Sequence, residues 1–106
     1  MLNPDQWATI QRLVAWLDQQ NGCSNEEVGL RILKLTEESG EVAQAWIGVR
    51  GQNPRKGVTH TVGDVCDELI DVMVTAAVAL ASIDGDPAGR VADKLARIEA
   101  RSQAAV

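Results

Sequence analysis

From Leu69 to Ile83 the chain carries a single charge, Asp71, among Leu69, Ile70, Val72, Met73, Val74, Val78, Leu80 and Ile83. A helix through this run, predicted from about residue 61 to 83, is apolar nearly all round and needs neighbours on most sides. The other helices that the sequence predicts each offer one apolar stripe, so one chain of 106 residues supplies too little cover. The natural remedy is self-association, and a homodimer or homotetramer is expected. The longest uncharged stretch, residues 72 to 83, is too short to span a bilayer, so its partner is protein rather than lipid.

Three further helices frame this one. Asn3-Pro4 opens the first, about 4 to 20, in which Trp7, Ile10, Leu13, Val14 and Leu17 recur at helical spacing until Asn21-Gly22 stops it. Ser24 followed three residues later by Glu27 reads as a capping box for a second helix, about 25 to 49. Its apolar stripe, Val28, Ile32, Leu35, Val42, Trp46 and Val49, is broken only at Ser39. The segment 50 to 57, with two glycines, a proline and three bases, reads as an exposed loop. After the third helix, Asp84-Gly85-Asp86-Pro87 starts a fourth, about 87 to 104, with Val91, Leu95 and Ile98 on one face. No strand pattern competes, and the expected fold is a single all-α domain over 1–106, a four-helix bundle completed by oligomerisation.

Composition narrows the function classes. Fifteen acids against ten bases leave a net charge of −5, which disfavours a nucleic-acid polymer as partner. The N-terminus lacks the order of a signal peptide and no stretch reaches membrane length, so a cytoplasmic protein is expected. With one His and no CxxC, a Cys/His zinc site has no support, and Cys23 and Cys66 read as reduced, structural thiols. P-loop, Rossmann and nucleophile-elbow motifs are missing from the sequence.

Two acidic patterns carry the chemistry. Glu37, Glu38 and Glu41 fall within one arc of the second helix, and Glu68 and Asp71 share a face of the third. Like charges so placed repel one another, and Asp71 lies in an apolar run without an evident partner, so the arrangement calls for a cation. Oxygen ligands alone suit Mg2+, with Mn2+ also compatible, and Mg2+ commonly bridges to phosphates. The competing reading is a solvated face salted by Lys34 and Arg31.

The pair Glu37-Glu38-Ser39-Gly40-Glu41 and Glu68-Leu69-Ile70-Asp71 resembles the EExxE and ExxD signature of the MazG-like, all-α nucleoside triphosphate pyrophosphohydrolase superfamily. The likeness extends from the first helix to Lys94-Leu95-Ala96-Arg97. It implies a MazG-like fold completed by dimers or tetramers, and house-cleaning hydrolysis of a nucleoside triphosphate to the monophosphate and pyrophosphate. It also implies Mg2+ on Glu38, Glu41, Glu68 and Asp71, with Glu37 positioning or activating water. Many relatives place an aromatic where this chain has Thr75, which leaves base preference open. A phosphoribosyl-ATP pyrophosphohydrolase and a non-enzymatic helical interaction module are the alternatives.

Candidate substrate contacts are Lys34, Trp46, Lys56, Lys94 and Arg97. The bases suit a triphosphate tail, Arg as a fork and Lys as a point charge. Trp46, two turns beyond Glu38, is a candidate for stacking on a base. Arg50, Arg55, Arg101 and His60 read more simply as surface, and Asp64 and Asp67 as acids at the positive end of a helix dipole.

Overall fold

A computed structural model describes residues 1–104 of the chain. It contains α1 (Pro4–Asn21), α2 (Asn25–Arg50), α3 (Val62–Ile83) and α4 (Pro87–Ala104), each within about a residue of the sequence expectation, and no strand among the described residues.

The helix ends follow from local hydrogen bonding. Asn3 and Gln6 form a reciprocal capping box under Pro4, and Thr61 and Asp64 form another at α3. The box expected at Ser24 is only half made. Ser24 accepts from the Glu27 N–H at 3.2 Å, but the Glu27 carboxylate turns to Arg31 instead of returning to the cap. α2 ends where Gly51 takes the left-handed conformation, φ 61°, a region that disfavours residues with a Cβ.

α2 and α3 pack side by side in opposite directions. Arg31 near the start of α2 meets Ser82 near the end of α3, while Gly48 near the end of α2 meets Thr59 and His60 just before α3. A Cβ at residue 48 would stand 2.1 Å from the His60 ring, so glycine is what lets this segment close on the helix. α1 lies across α3, with Ile10 and Val14 buried against Ala77 and Val78.

The inward face of α2 differs from the expected stripe. Arg31, Glu38 and Ala45, spaced by sevens, are buried together with Gly48, whereas Ile32 and Trp46 are exposed. Val28, Leu35, Val42 and Val49 of the expected stripe are half-buried beside this seam, so only Ile32 and Trp46 leave it, and small and polar side chains take the most buried places. Ala45 and Gly48 permit close approach, and Arg31 and Glu38 make polar contacts there. The two cysteines are free, as expected of reduced thiols, but both are exposed rather than structural. Cys23 lies in the α1–α2 connection, and Cys66 falls two residues, or about 200°, away from the inward Glu68 on α3.

The four helices do not close into a bundle within one chain. α4 is covered only at its start, where Pro87 is buried and Val91 half-buried, and residues 92 to 103 are all exposed. Leu95 and Ile98, expected on a packed face, therefore face solvent in the single chain. α3 is itself half bare, with Leu69, Ile70, Met73, Val74 and Ile83 exposed and only Ala77, Val78 and Ala79 buried. An apolar groove of about 710 Å³ runs beside it, with Trp7, Met73 and Leu80 in its walls. The radius of gyration is 16.9 Å, against about 13 Å for a compact chain of this length.

Candidate metal centre

The middle of the α2–α3 seam is acidic. Glu38 and Glu41 from α2 and Glu68 and Asp71 from α3 bring one carboxylate oxygen each within 4.8 Å of one another. The spacing in sequence explains the geometry: i,i+3 pairs stack on one helix face, and the antiparallel packing sets the two pairs opposite each other. Glu38 is buried, Glu41 and Glu68 are half-buried, and Asp71 is exposed at the rim. The burden on Asp71 is thus the crowd of carboxylates around it rather than the apolar run in its sequence.

The cluster is incompletely satisfied. Lys34 reaches Glu38 at 3.6 Å and Glu37 at 3.4 Å, and these carboxylates, Glu37 foremost, raise the pKa of its ammonium. Among the described residues Glu68 has no such partner, and its Oε2 is buried without any hydrogen bond. A buried carboxylate oxygen with no donor is costly, and three neighbouring carboxylates raise the cost. Hard oxygen donors from four side chains, open on the Asp71 side, fit a divalent cation of the Mg2+ or Mn2+ type that keeps some of its waters.

Glu37 stands beside this group rather than in it, with its side chain exposed and tied to Lys34. Lys34 therefore does salt the α2 acids. Arg31, the other base of the solvated-face reading, pairs with none of Glu37, Glu38 and Glu41. It is buried and donates to Asp18 at 2.9 Å, Glu27 at 2.7 Å, Ser82 at 3.0 Å and the Gly22 carbonyl at 3.0 Å. Burial opposes its charge, but the hydrogen bonds and charges of Glu27 and Asp18 outweigh that and hold its pKa above the ordinary value. Sequence reasoning missed this node, although a heptad linking Arg31, Glu38 and Ala45 was there to find.

The remaining candidates lie outside the cluster. Trp46 is exposed rather than core, one position from the buried Ala45. Lys56 is exposed in the α2–α3 connection, and Lys94 and Arg97 are exposed on α4, all without a carboxylate partner among the described residues. His60 is half-buried, and its Nδ1 and the Thr59 hydroxyl are 2.8 Å apart. Asp64 serves as a cap, and the Thr61 N–H is the main reason its pKa falls below the ordinary value. No helix among the described residues is long and apolar enough to cross a membrane.

Comparison of the chain with protein-family models, with curated proteins and with solved structures gives no match.

Proposed function

We propose that this chain is a divalent-cation-dependent nucleotide pyrophosphohydrolase of the MazG-like kind, cleaving (d)NTP to (d)NMP and pyrophosphate. The observation that carries the reading is the unpartnered, buried Glu68 Oε2 inside a four-carboxylate group drawn from two helices. Surface acids that serve only solubility have no reason to converge with one oxygen shut away from water.

Glu38, Glu41, Glu68 and Asp71 would hold Mg2+ or Mn2+, which neutralises charge on a polyphosphate and on the phosphoryl group under attack. Glu37, exposed and adjacent in sequence to Glu38, is the general base: it takes a proton from water as the water oxygen bonds to the α-phosphorus. The bond from that phosphorus to the bridging oxygen breaks, and its electron pair leaves with pyrophosphate. Lys34 holds Glu37 in place before substrate arrives, and its ammonium is available to a phosphate oxygen afterwards. The exposed Lys56, Lys94 and Arg97 are the further bases for the triphosphate tail. The same reading includes a homodimer or homotetramer, supported by the bare faces of α3 and α4 and by the open shape of the single chain.

The test is a pyrophosphate-release screen over canonical and damaged NTPs and dNTPs and phosphoribosyl-ATP, with Mg2+ and with Mn2+. Release that stops with EDTA and in Glu38→Gln is the expected result. Metal-independent release, or none on any substrate, overturns the assignment. Light scattering is expected to give at least twice the 11.4 kDa chain mass.

A further inference from the structure

The side of α2 turned away from the seam has no helix packed on it among the described residues. Between the ends of α2 its charges, Glu27, Arg31, Lys34, Glu37, Glu38 and Glu41, fall within one arc of about 120°, the arc that holds the seam and its rim. The opposite face is uncharged for about five turns and leaves Ile32, Leu33, Trp46 and Ile47 exposed. Its centre line runs through Gly29, Leu33, Thr36, Gly40, Ala43 and Ile47 at alternating steps of four and three, the spacing of a coiled-coil seam. The same steps lead to Glu26 at one end and Arg50 at the other, both exposed and without an ion pair among the described residues. The line also carries two glycines that its own chain does not use. A Cβ at Gly48 would collide with His60, but at Gly29 and Gly40 it would meet nothing within 4 Å. Glycine weakens a helix interior, and it also permits another backbone to come close.

We propose that this face binds the same face of a second copy, with the two α2 helices antiparallel about a two-fold axis. Shape and charge together select that occupant. With the axis level with residue 38, Leu33 meets the partner's Ala43, Ile47 meets the partner's Gly29, Thr36 meets the partner's Gly40 and Glu26 meets the partner's Arg50. Large side chains then stand opposite small ones, the ends carry opposite charges, and symmetry makes each contact twice. Sliding one helix by seven residues destroys the match: in one direction Leu33 meets the partner's Arg50, and in the other Ile47 and Arg50 overhang the end of the partner's helix. Glu37 stays outside the contact, about 100° round the helix from Thr36 and tied to Lys34. The interface does not depend on the metal-centre reading. It uses none of the bare surface of α3 and α4, so association there as well would give an assembly of four chains.

Light scattering at micromolar concentration, with circular dichroism as the check on folding, tests the pairing in Gly40→Leu, Glu26→Arg and Arg50→Glu. A leucine at 40 has open space in its own chain but blocks the close approach. Gly40→Leu should therefore halve the wild-type mass, from four chains to two, or from two to one if α3 and α4 contribute nothing. Each charge variant sets like charges against each other and should weaken association by about tenfold or more. Mixed in equal amounts, the two charge variants should recover the wild-type mass, because each supplies the charge that the other needs. Within one chain the two positions are about 36 Å apart and each substitution opposes the helix dipole, so only contact between copies gives that recovery. A mass that Gly40→Leu leaves unchanged overturns the proposal, and so does a mixture that fails to recover. A wild type that is a single chain also overturns it and would leave the face to a different protein. The absolute mass reports on association through α3 and α4, whereas the halving and the recovery report on α2 alone.

Discussion

The α2–α3 seam holds two buried groups of charge one to two helical turns apart, and their states differ. Around Arg31 every nearby requirement is met from within the chain: two carboxylates, a hydroxyl and a carbonyl receive its donors, and three helices are tied at one point. Around Glu68, four carboxylates converge, and among the described residues only Lys34 answers them and one buried oxygen has no donor. A chain able to satisfy a buried charge so fully at Arg31 leaves the neighbouring cluster short of positive charge. The first group is satisfied within the chain, and the second carries an electrostatic cost that the proposed cation would relieve.

That contrast predicts opposite signs for removing charge at the two places. Arg31→Met should have the largest effect, because it strands Glu27 and leaves Asp18 and Ser82 without their donor. Loss of one member of a buried pair costs about 3–5 kcal/mol, and with Asp18 40% exposed the lower end applies, about 3 kcal/mol. Urea denaturation should show a reduced midpoint with an unchanged slope. A loss under about 1 kcal/mol would make the Arg31 node ornamental and dissolve the contrast.

Glu41→Gln should instead stabilise the metal-free protein, by about 0.5 kcal/mol or some 2–4 °C in Tm, since it relieves like-charge repulsion. The same variant should lose the rise in Tm that Mn2+ gives the wild type. Destabilisation of the metal-free form by Glu41→Gln would mean that the carboxylates are satisfied internally after all.

Asp64 sharpens the comparison as a carboxylate that does have its donors. Hydrogen bonding to Thr61, the backbone N–H foremost, puts its folded pKa below the ordinary 3.8. Its contribution is therefore present above that value and is lost as pH falls through the lower, folded value. Asp64→Asn should narrow the difference in stability between about pH 5 and pH 3, by the smallest margin of the three variants, as read by thermal melts across that range. An acid limb identical to wild type would remove this cap from the account.

Much of this was legible in the sequence, and the exceptions share a cause. The helix limits were readable because Pro4, Gly22, Gly51 and the Thr61/Asp64 pair act locally, within a few residues of where they stand. The two acidic groups were readable because helical spacing puts Glu37, Glu38 and Glu41 in one arc and Glu68 with Asp71 on one face, while the choice of the quartet without Glu37 came from the family resemblance. The inward face of α2 was readable only in part, at Val28, Leu35, Val42 and Val49. Apolar periodicity favoured Ile32 and Trp46, and only the packing partner reveals that the seam takes Arg31, Glu38, Ala45 and Gly48. Glu27 could not be assigned to Arg31 rather than to its own helix cap without the position of Asp18 on another helix. The departure of α4 likewise depends on tertiary contacts, since its apolar stripe at Val91, Leu95 and Ile98 is the same whether it packs on its own chain or elsewhere.

The central claim is that Glu38, Glu41, Glu68 and Asp71 form a divalent-cation site. Crystals soaked in Mn2+ and measured at the manganese absorption edge test it most directly. The account predicts an anomalous peak between α2 and α3, about 2.0–2.6 Å from carboxylate oxygens of these residues and including Glu68 Oε2. Anomalous peaks confined to other surface acids, with the space between α2 and α3 blank, would contradict it.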